Sequence, residues 1–295
     1  MMNYTEQFSK WFDENGIQYV RLNDVLWREY RRMIVPVGPA SDVYQLDGRE
    51  VKILFRSFPS AVMCRLTRPS ENQNLTDGFY AVICKEFKDY DLLQSKRKSE
   101  IIRGLKNCRA EIVDPALISE QAYDVYCKAA EKYNEPPVQY NTFAKEFFLQ
   151  KNFDDIVHFW GVFHENQLIA YAKVYVYGSV EANITVAKFD PGYLHLYPAY
   201  AMFYTMNELY LHQGKVQYVN DGFRSLQHNT NIQDFLIRKF GYEKYFVDVT
   251  VRYRQPFGIV LKMLRPFKGF MCRIHPGFDA LYKLHDISGR QNKRI

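Results

Sequence analysis

The stretch DGFRSLQHNTNIQDFLIRKFGYEKY, residues 221–245, has the clearest local pattern in the sequence. It predicts the end of a strand, a polar loop, a capped helix, a glycine stop and a new strand. Thr230 and Gln233 have the spacing of a capping box, and Gly241 supplies the left-handed residue that often ends a helix. The loop contains five polar residues that either form a reaction site or cap the helix: Asp221, Arg224, Ser225, His228 and Asn229.

Around this stretch, hydrophobic periodicity predicts a continuous series of elements from residue 109 to residue 254. Their order is β-α-α-β-β-β-α-β-α-β. The predicted strands cover 109–114, 156–163, 167–177, 180–189, 216–221 and 245–254, and helices at 118–133, 141–150 and 197–214 precede the capped helix. Gly178-Ser179 predicts a two-residue hairpin turn.

The first 94 residues are less regular. Short apolar runs predict strands at 33–37, 51–55, 61–66 and 79–84, and short helices are expected at 4–14 and 22–32. A further helix over 91–107 carries a basic face formed by Lys96, Arg97, Lys98, Arg103 and Lys106.

Bulk composition excludes several classes of protein. Aromatic residues make up 16% of the 295 residues, which argues against disorder, and no apolar run is long enough to cross a membrane. The start, MMNYTEQFSKWF, lacks the layout of a secretory signal. Five cysteines without a C-x-x-C pair argue against a disulfide framework and favour a reducing cytoplasm.

The positive charge is concentrated at the C-terminal end. Residues 252–295 carry a net charge of +8, whereas the rest of the chain sums to −2. This segment either contacts an anionic partner or is a solvated tail. Within it, FGIVLKMLRPFKGF, residues 257–270, has the composition of a basic amphipathic segment on an anionic membrane, although its apolar face can equally dock on its own domain.

The order of elements from 109 to 254 resembles the GNAT (general N-acetyltransferase) superfamily. FLIRKFGYEKYFVDVTV, residues 235–251, looks like that family's helix, its Gly-aromatic pair and its final long strand. KRKSEIIRGLKN, residues 96–107, leads into the first strand and is similar to the FemAB-type branch, whose members have two GNAT-like units. Residues 1–94 would then be a reduced first unit.

This resemblance implies acyl transfer to an amine, with the activated donor bound between two splayed central strands. In acetyl-CoA users, a Q/R-x-x-G-x-G/A loop holds the pyrophosphate at a helix start. The equivalent stretch here, FDPGYLHLYPAYAMF, residues 189–203, has one glycine and no Arg or Lys. This departure favours the aminoacyl-tRNA or other acyl donors of the FemAB-type branch, or a non-catalytic relative.

The resemblance also suggests residue roles. Asp221 would orient or deprotonate the amine, Arg224 would hold a carboxylate or phosphate, and His228 would act as a base. Glu181, on the third strand, is a further candidate base, although a solvated strand face explains it equally well. The expected donor-binding residues are Tyr193, His195, Tyr197 and Asn229. No metal site and no permanently bound cofactor are expected.

The sequence therefore predicts an α+β, GNAT-like protein with a mixed, mainly antiparallel sheet flanked by helices and a reduced N-terminal half. The predicted domains are 1–94, a transferase domain at 95–255 and a basic extension at 256–295. The predicted function is acyl or aminoacyl transfer with acyl-CoA or aminoacyl-tRNA as co-substrate. The alternative is an inactive GNAT-like module that binds RNA, an anionic lipid surface or a protein through its basic segments. Either protein would be cytoplasmic, with tRNA or the membrane periphery as candidate partners.

Overall fold

The chain folds into two compact units. In the computed structural model, the described residues are 3–75, 77–132, 136–148, 156–226, 231–274 and 277–291. The first unit comprises Met1–Val82, Phe223–Asp234 and Lys244–Ile295, and the second comprises Ile83–Gly222 and Phe235–Glu243. These units are defined by contacts between residues in space. The domain boundaries at 94 and 255 were inferred from the sequence, and they stay predictions.

A mixed sheet forms the centre of the first unit. Its strands are β1 (Val20–Leu22), β2 (Val25–Tyr30), β3 (Met33–Val37), β4 (Met63–Pro69), β5 (Phe79–Cys84, which ends in the second unit) and β11 (Glu243–Tyr253, which begins there). Their order is β1-β2-β3-β4-β11-β5. β1, β2 and β3 are antiparallel neighbours, β3 and β4 run parallel, and β4 is antiparallel to β11.

The helices of the first unit cover this sheet. They are α1 (Tyr4–Glu14), α2 (Gly48–Ser57), α8 (Phe257–Met263), α9 (Lys268–Ile274) and α10 (Gly277–Gln291). α2 connects the parallel strands β3 and β4, and its Leu54 and Phe55 are buried with Trp27, Ile34 and Phe58 in one apolar cluster.

The helix expected at 22–32 is wrong, because this segment forms a β-hairpin. Leu22 and Leu26 are four residues apart, which imitates helical spacing, but Leu22 pairs with Val25 across a tight turn. Asn23 and Asp24 occupy that turn with φ of 51° and 59°. Two consecutive left-handed residues produce the turn that fits the twist of paired strands, so the local turn overrides the apolar spacing.

The strand expected at 51–55 is also wrong, because these residues lie inside α2. The Asp47 carboxylate accepts hydrogen bonds from the N–H groups of Arg49 and Glu50 at 2.7 and 2.8 Å. The Glu50 carboxylate accepts one from the Asp47 N–H at 2.7 Å. This reciprocal capping box satisfies the free N–H groups at the helix start and selects a helix for an apolar run that suits either structure.

The second unit repeats the arrangement of the first in a longer form. Its strands are β6 (Arg109–Ile112), β7 (Val157–His164), β8 (Gln167–Tyr177), β9 (Glu181–Phe189) and β10 (Tyr218–Phe223), in the order β10-β9-β8-β7-β6. β6 to β9 are antiparallel neighbours, and β9 and β10 are parallel. Three antiparallel strands, a helix and a parallel strand thus occur in both units, as expected for a reduced first GNAT-like half.

Helices flank the sheet of the second unit. They are α3 (Ser95–Asn107), α4 (Pro115–Lys132), α5 (Tyr140–Phe148) and α6 (Pro198–Asn207), and α7 (Asn231–Phe240) begins in the first unit and ends in the second. α6 connects β9 and β10 and continues into a π-helical turn at Glu208–His212. The predicted α+β class, with a mainly antiparallel sheet flanked by helices, is confirmed.

Candidate functional site

Two parallel strands of the second unit, β9 and β10, stop pairing part-way along their length. β9 and β10 are paired through Glu181 with Tyr218, Ala182 with Val219, and Asn183 with Asn220. β9 then continues to Phe189, whereas β10 ends at Phe223 after the left-handed Gly222. Pairing stops at Asn183 and Asn220, and we call the unpaired stretch between the two strands beyond these residues the opening.

A β-bulge in β9 lies beside this opening. Ile184 pairs with Val174 and Val186 pairs with Lys173, so Thr185 is the additional residue. The Thr185 hydroxyl donates to the Lys173 carbonyl at 3.1 Å. A bulge of this kind bends its strand and increases the local twist. The part of β9 beyond the bulge therefore runs in a different direction from the part that pairs with β10.

Glu181 and Asn220 join the two strands where they are still paired. Asn220 Nδ2 donates to Glu181 Oε1 at 2.9 Å, and both side chains are almost completely buried. Asn220 Oδ1 also accepts from the Gly222 N–H at 2.8 Å, which shapes the end of β10. The sequence-based alternative that Glu181 lies on a solvated strand face is wrong, because its side chain has no solvent exposure.

The segment after β9 is held by an ion pair between a buried carboxylate and a half-exposed lysine. Asp190 Oδ1 accepts from the Gly192 N–H at 2.9 Å, and Asp190 Oδ2 lies 2.7 Å from Lys128 Nζ on α4. The hydrogen bond to Asp190 raises the pKa of Lys128. The 3₁₀ turn Pro191–Leu196 therefore begins from a fixed point beside the opening.

The start of α6 has few accessible backbone N–H groups, because some bond within the helix and α3 packs against others. Pro198 has no N–H, and the N–H groups of Tyr200 and Ala201 donate to the Tyr197 carbonyl at 3.0 and 3.3 Å. A Cβ on Gly104 of α3 would lie only 2.8 Å from that carbonyl and 3.0 Å from the Ala201 nitrogen. The N–H groups that hold a diphosphate at other helix starts are therefore engaged or covered here.

The chain from β6 to β11 has the predicted order of elements, and its parallel pair β9–β10 separates beside a bulge. The fold is GNAT-like. Two units with the same order of strands and crossover helix match the FemAB-type arrangement that the sequence predicts.

Several solved structures are similar to this chain at low sequence identity. FemX is similar with a TM-score of 0.49 and 9% identity over 82% of this chain and 90% of FemX. The C-terminal domain of a putative lysylphosphatidylglycerol synthetase from Agrobacterium fabrum has a TM-score of 0.49 and 12% identity, over 87% of this chain and 90% of that one. A GCN5-related N-acetyltransferase-like protein from Streptococcus suis 89/1591 has a TM-score of 0.39 and 13% identity, over 85% and 98% of the two chains. No protein-family model and no curated protein sequence matches the chain.

The predicted donor-binding aromatics of this GNAT-like site point in different directions. The Tyr193 hydroxyl donates to Gln167 Oε1 at 2.7 Å. His195 is exposed. Tyr197 adopts φ of 63° and packs edge-on against Tyr200 at 5.6 Å between ring centres. The structure does not bring these three side chains together, and their donor-binding roles stay predictions.

The polar loop of residues 221–229 spans both units. Asp221, partly buried, lies near the end of β10 in the second unit. Its charge adds to the effects of burial and of Cys84 in raising the pKa of Tyr242. Arg224 belongs to the first unit, and His228 and Asn229 lie outside the described residues, as does Thr230 of the predicted capping box.

The Arg224 side chain is engaged within the first unit. Its Nη1 donates to the Gly78 carbonyl at 2.8 Å and lies 3.3 Å from Asp77 Oδ1. The guanidinium also lies 5.1 Å from the centre of the Tyr80 ring. These contacts give Arg224 a structural role beside the ligand-binding role predicted for it.

A basic cleft in the second unit was not predicted from the sequence. A cavity of about 50 Å³ lies between α3, the end of α6 and the end of α7, and its lining includes Arg97, Asn207 and Lys239. Lys239 Nζ pairs with Glu100 at 2.7 Å, and this hydrogen bond raises the pKa of Lys239. In the sequence, only the basic face of α3 indicated this cleft. The other residues that line the cleft come from separate segments of the chain.

Other chemistries find no support in the described residues. No group of His, Cys, Asp and Glu side chains there is placed to hold a metal ion. The five cysteines are free thiols. His158 Nδ1 lies 2.6 Å from the buried Tyr210 hydroxyl, and His164 Nδ1 lies 2.8 Å from the Asn107 carbonyl, so both imidazoles have structural partners. No described helix has the length and hydropathy needed to cross a membrane.

Proposed function

We propose that this protein transfers an acyl or aminoacyl group from an activated donor to an amine. The observation that carries the proposal is the separation of β9 and β10 beyond Asn183 and Asn220. On β9, the backbone N–H and C=O groups beyond Asn183 that face this side no longer pair with β10 and can bind an extended donor. Binding there would hold the acyl carbonyl in a fixed orientation for attack by the amine.

The reaction needs a base and a group that orients the amine. The amine nitrogen attacks the acyl carbonyl carbon, an amide bond forms, and the ester or thioester bond of the donor breaks. The amine proton passes to a base, and the leaving oxygen or sulfur takes up a proton. We assign the base or orienting role to Asp221, because it follows Asn220 at the point where the strands separate.

The contacts of Glu181 support the role proposed for Asp221. It binds Asn220, and Asn220 in turn holds the Gly222 N–H, so the carboxylate fixes the turn that follows Asp221. We therefore propose a positioning role for Glu181. Arg224 would hold a donor carboxylate or phosphate by exchanging Asp77 for the ligand, and His228 would serve as the second base.

The donor is better explained by an aminoacyl-tRNA than by an acyl-CoA. The start of α6 offers few free N–H groups for a diphosphate, and Gly104 brings α3 against it. α3 also carries the exposed cations Lys96, Arg103 and Lys106, a pattern that suits a polyanionic backbone. In this proposal the protein acts in the cytoplasm, and tRNA is its macromolecular partner.

Ligand-dependent thermal unfolding tests the donor assignment. A ligand that binds the folded state raises the unfolding midpoint by mass action. We expect a rise with aminoacyl-tRNA, a smaller rise with uncharged tRNA, and none with acetyl-CoA or longer acyl-CoAs. The double variant Arg103→Glu and Lys106→Glu should lose the tRNA-dependent rise. The matched control is Lys52→Glu with Arg56→Glu, an exposed basic pair on α2, which should keep it.

The chemistry is tested separately with Asp221→Asn. This variant should still show the midpoint rise with aminoacyl-tRNA but should transfer the aminoacyl group to an added amine about 10²–10⁴ times more slowly. A midpoint rise with acyl-CoAs and none with aminoacyl-tRNA would overturn the donor assignment. Equal rises with charged and uncharged tRNA, without transfer, would favour a binding module.

An inactive binding module is the second candidate, and one observation favours it. Phe189, at the open end of β9, packs against Phe203 of α6 at 6.2 Å between ring centres, and Phe203 contacts Phe235 and Phe240 at 6.3 and 6.1 Å. Aromatic side chains of the protein itself therefore occupy space beside the opening. If no donor changes the midpoint and no amine is acylated, this candidate replaces the transferase.

A further inference from the structure

The C-terminal part of the first unit presents a cluster of large apolar side chains to solvent. Five of the fifteen exposed large apolar side chains in the described residues lie within residues 259–270. They are Ile259, Val260, Met263, Phe267 and Phe270, and we call them, with the cations between them, the apolar–basic surface. Met263, Phe267 and Phe270 are 70%, 61% and 64% exposed. Single exposed apolar residues are ordinary, but five of them so close together in the sequence indicate a binding surface.

The fold holds these side chains outward. α8 buries Gly258 and Leu261 on its inner side, and a Cβ on Gly258 would lie 2.9 Å from Tyr253 Cβ, so the helix backbone packs closely. Met263 follows Val260 by three residues and Ile259 by four, so these three side chains share the opposite side of the helix. Rotating α8 to bury them would expose Leu261, so the outward apolar face is part of the native packing.

The surface is also strongly basic. Residues 255–274 contain four cations and no Asp or Glu. Arg265 and Lys268 pair with Asp286 of α10 at 3.1 and 3.5 Å. Within the part of the chain that the structure describes, Lys262 and Arg273 have no carboxylate partner. The apolar side chains are therefore surrounded by net positive charge.

We infer that the apolar–basic surface docks on an anionic lipid membrane. Its apolar side chains would enter the boundary between headgroups and acyl chains, while Lys262, Arg273 and their neighbours contact lipid phosphates. Each such cation near an anionic leaflet adds to the attraction. A second copy of the chain fits less well, because a symmetric contact would place four cations against their own copies. This inference concerns a surface outside the proposed transfer site and stands or falls independently of it.

Vesicle flotation with the full chain tests this surface. The protein should float with phosphatidylcholine vesicles that contain phosphatidylglycerol, bind weakly to phosphatidylcholine alone, and dissociate at high salt. The double variant Phe267→Ser and Phe270→Ser should bind at least about tenfold more weakly. Its matched control is Leu92→Ser with Leu117→Ser, since these side chains are 81% and 80% exposed but lie apart from the surface.

A charge variant measures the electrostatic contribution to vesicle binding separately from the contribution of the apolar side chains. Lys262→Gln with Arg273→Gln should weaken binding to the anionic vesicles and reduce its salt dependence, whereas Lys52→Gln with Lys215→Gln, also exposed, should not. Binding that is unchanged in the serine variant would overturn the proposal, as would no binding by the wild type. A concentration-dependent dimer that the serine variant abolishes, without vesicle binding, would assign the surface to a second copy and also overturn it.

Discussion

At the scale of single residues, the burial of the Arg65 guanidinium in the first unit costs stability. Its guanidinium lies 5.5 Å from the Phe79 ring and 5.0 Å from the Phe223 ring, and these rings are stacked at 5.2 Å. Its Nε–H is buried and has no acceptor in the described residues. Burial lowers the pKa of Arg65 to about 10. The attraction to the rings offsets only part of the cost of burying the charge.

Arg65→Met should therefore stabilise the protein by about 1 kcal/mol at neutral pH. Because the folded-state pKa of Arg65 is below its value in the unfolded chain, folding disfavours the charged form, and this cost is fully present at pH 7 and declines as the pH rises through about 10. Urea denaturation at neutral pH and above pH 10 measures both effects. Arg252→Met, at an exposed position of β11, is the control and should change little. A marked loss of stability in Arg65→Met would show that the guanidinium has a required partner.

The cysteines differ in reactivity according to their burial. Burial raises the pKa of Cys64 to about 12 and those of Cys84 and Cys108 to about 11. Cys127 and Cys272 are partly exposed. Because the thiolate is the reactive form, the native protein should react with Ellman's reagent rapidly at Cys127 and Cys272 and at all five thiols after denaturation. Rapid reaction that persists in the double variant Cys127→Ser and Cys272→Ser would contradict this assignment.

At the scale of elements, the contact between α3 and α6 depends on Gly104. Gly104→Ala would place a methyl group 2.8 Å from the Tyr197 carbonyl and 3.0 Å from the Ala201 nitrogen, and neither backbone group can rotate away. The helices must separate, at a cost of about 1–3 kcal/mol that exceeds the gain of about 1 kcal/mol from replacing a helical glycine. The expected result is a lower thermal midpoint.

The matched control is Gly289→Ala on α10, where no atom lies within 4 Å of the added methyl group. That variant should raise the midpoint slightly, since only the helix-propensity gain remains. Equal behaviour of the two alanine variants would show that α3 does not pack closely on α6 in solution.

Elements with a strong local signal were predicted correctly, and elements whose turn or cap carries no such signal were not. β8 matches the predicted strand at 167–177, α7 matches the predicted capped helix, and α6 with the π-helical turn at Glu208–His212 covers most of the predicted helix at 197–214. The β1–β2 hairpin was missed because Asn23-Asp24 carries the left-handed turn without glycine. α2 was missed because its apolar run suits a strand, and only the box of Asp47 and Glu50 selects the helix.

The candidate site was predicted less completely than the fold. The position of Asp221 at a strand end followed from local pattern, but the partners of Glu181 and Arg224 did not. Asn220 binds Glu181 from 39 residues away, and Arg224 contacts Gly78 from 146 residues away. Such pairs are created by tertiary structure, so no local spacing indicates them.

At the scale of the whole molecule, two units have the same order of elements although the sequence shows no repeat. β1-β2-β3-α2-β4 in the first unit corresponds to β7-β8-β9-α6-β10 in the second. The parallel pairs differ, since β3 and β4 share two residue pairs and β9 and β10 share three. Packing constrains the type of side chain more than its identity, so a common fold persists without similar sequence.

The basic C-terminal segment is partly structural, which the sequence left open. Leu284 of α10 belongs to the apolar cluster of Phe79, Val247 and Val249. The Ser288 hydroxyl accepts a hydrogen bond from the Val251 N–H at 3.1 Å. The interpretation of the whole segment as a solvated tail is therefore wrong for α10, whose inner face completes the core of the first unit.

A chain that ends at Gln255 should consequently fail to fold its first unit, although it retains β11. Leu284→Ala reports the same contact in the full chain and should lower the free energy of unfolding by about 2–4 kcal/mol, because it leaves a cavity in the cluster. Denaturant unfolding measures the loss, with Leu92→Ala, an 81% exposed position, as the near-neutral control. If the shortened chain instead unfolds with the wild-type midpoint, α10 is dispensable and the first unit's core closes without it.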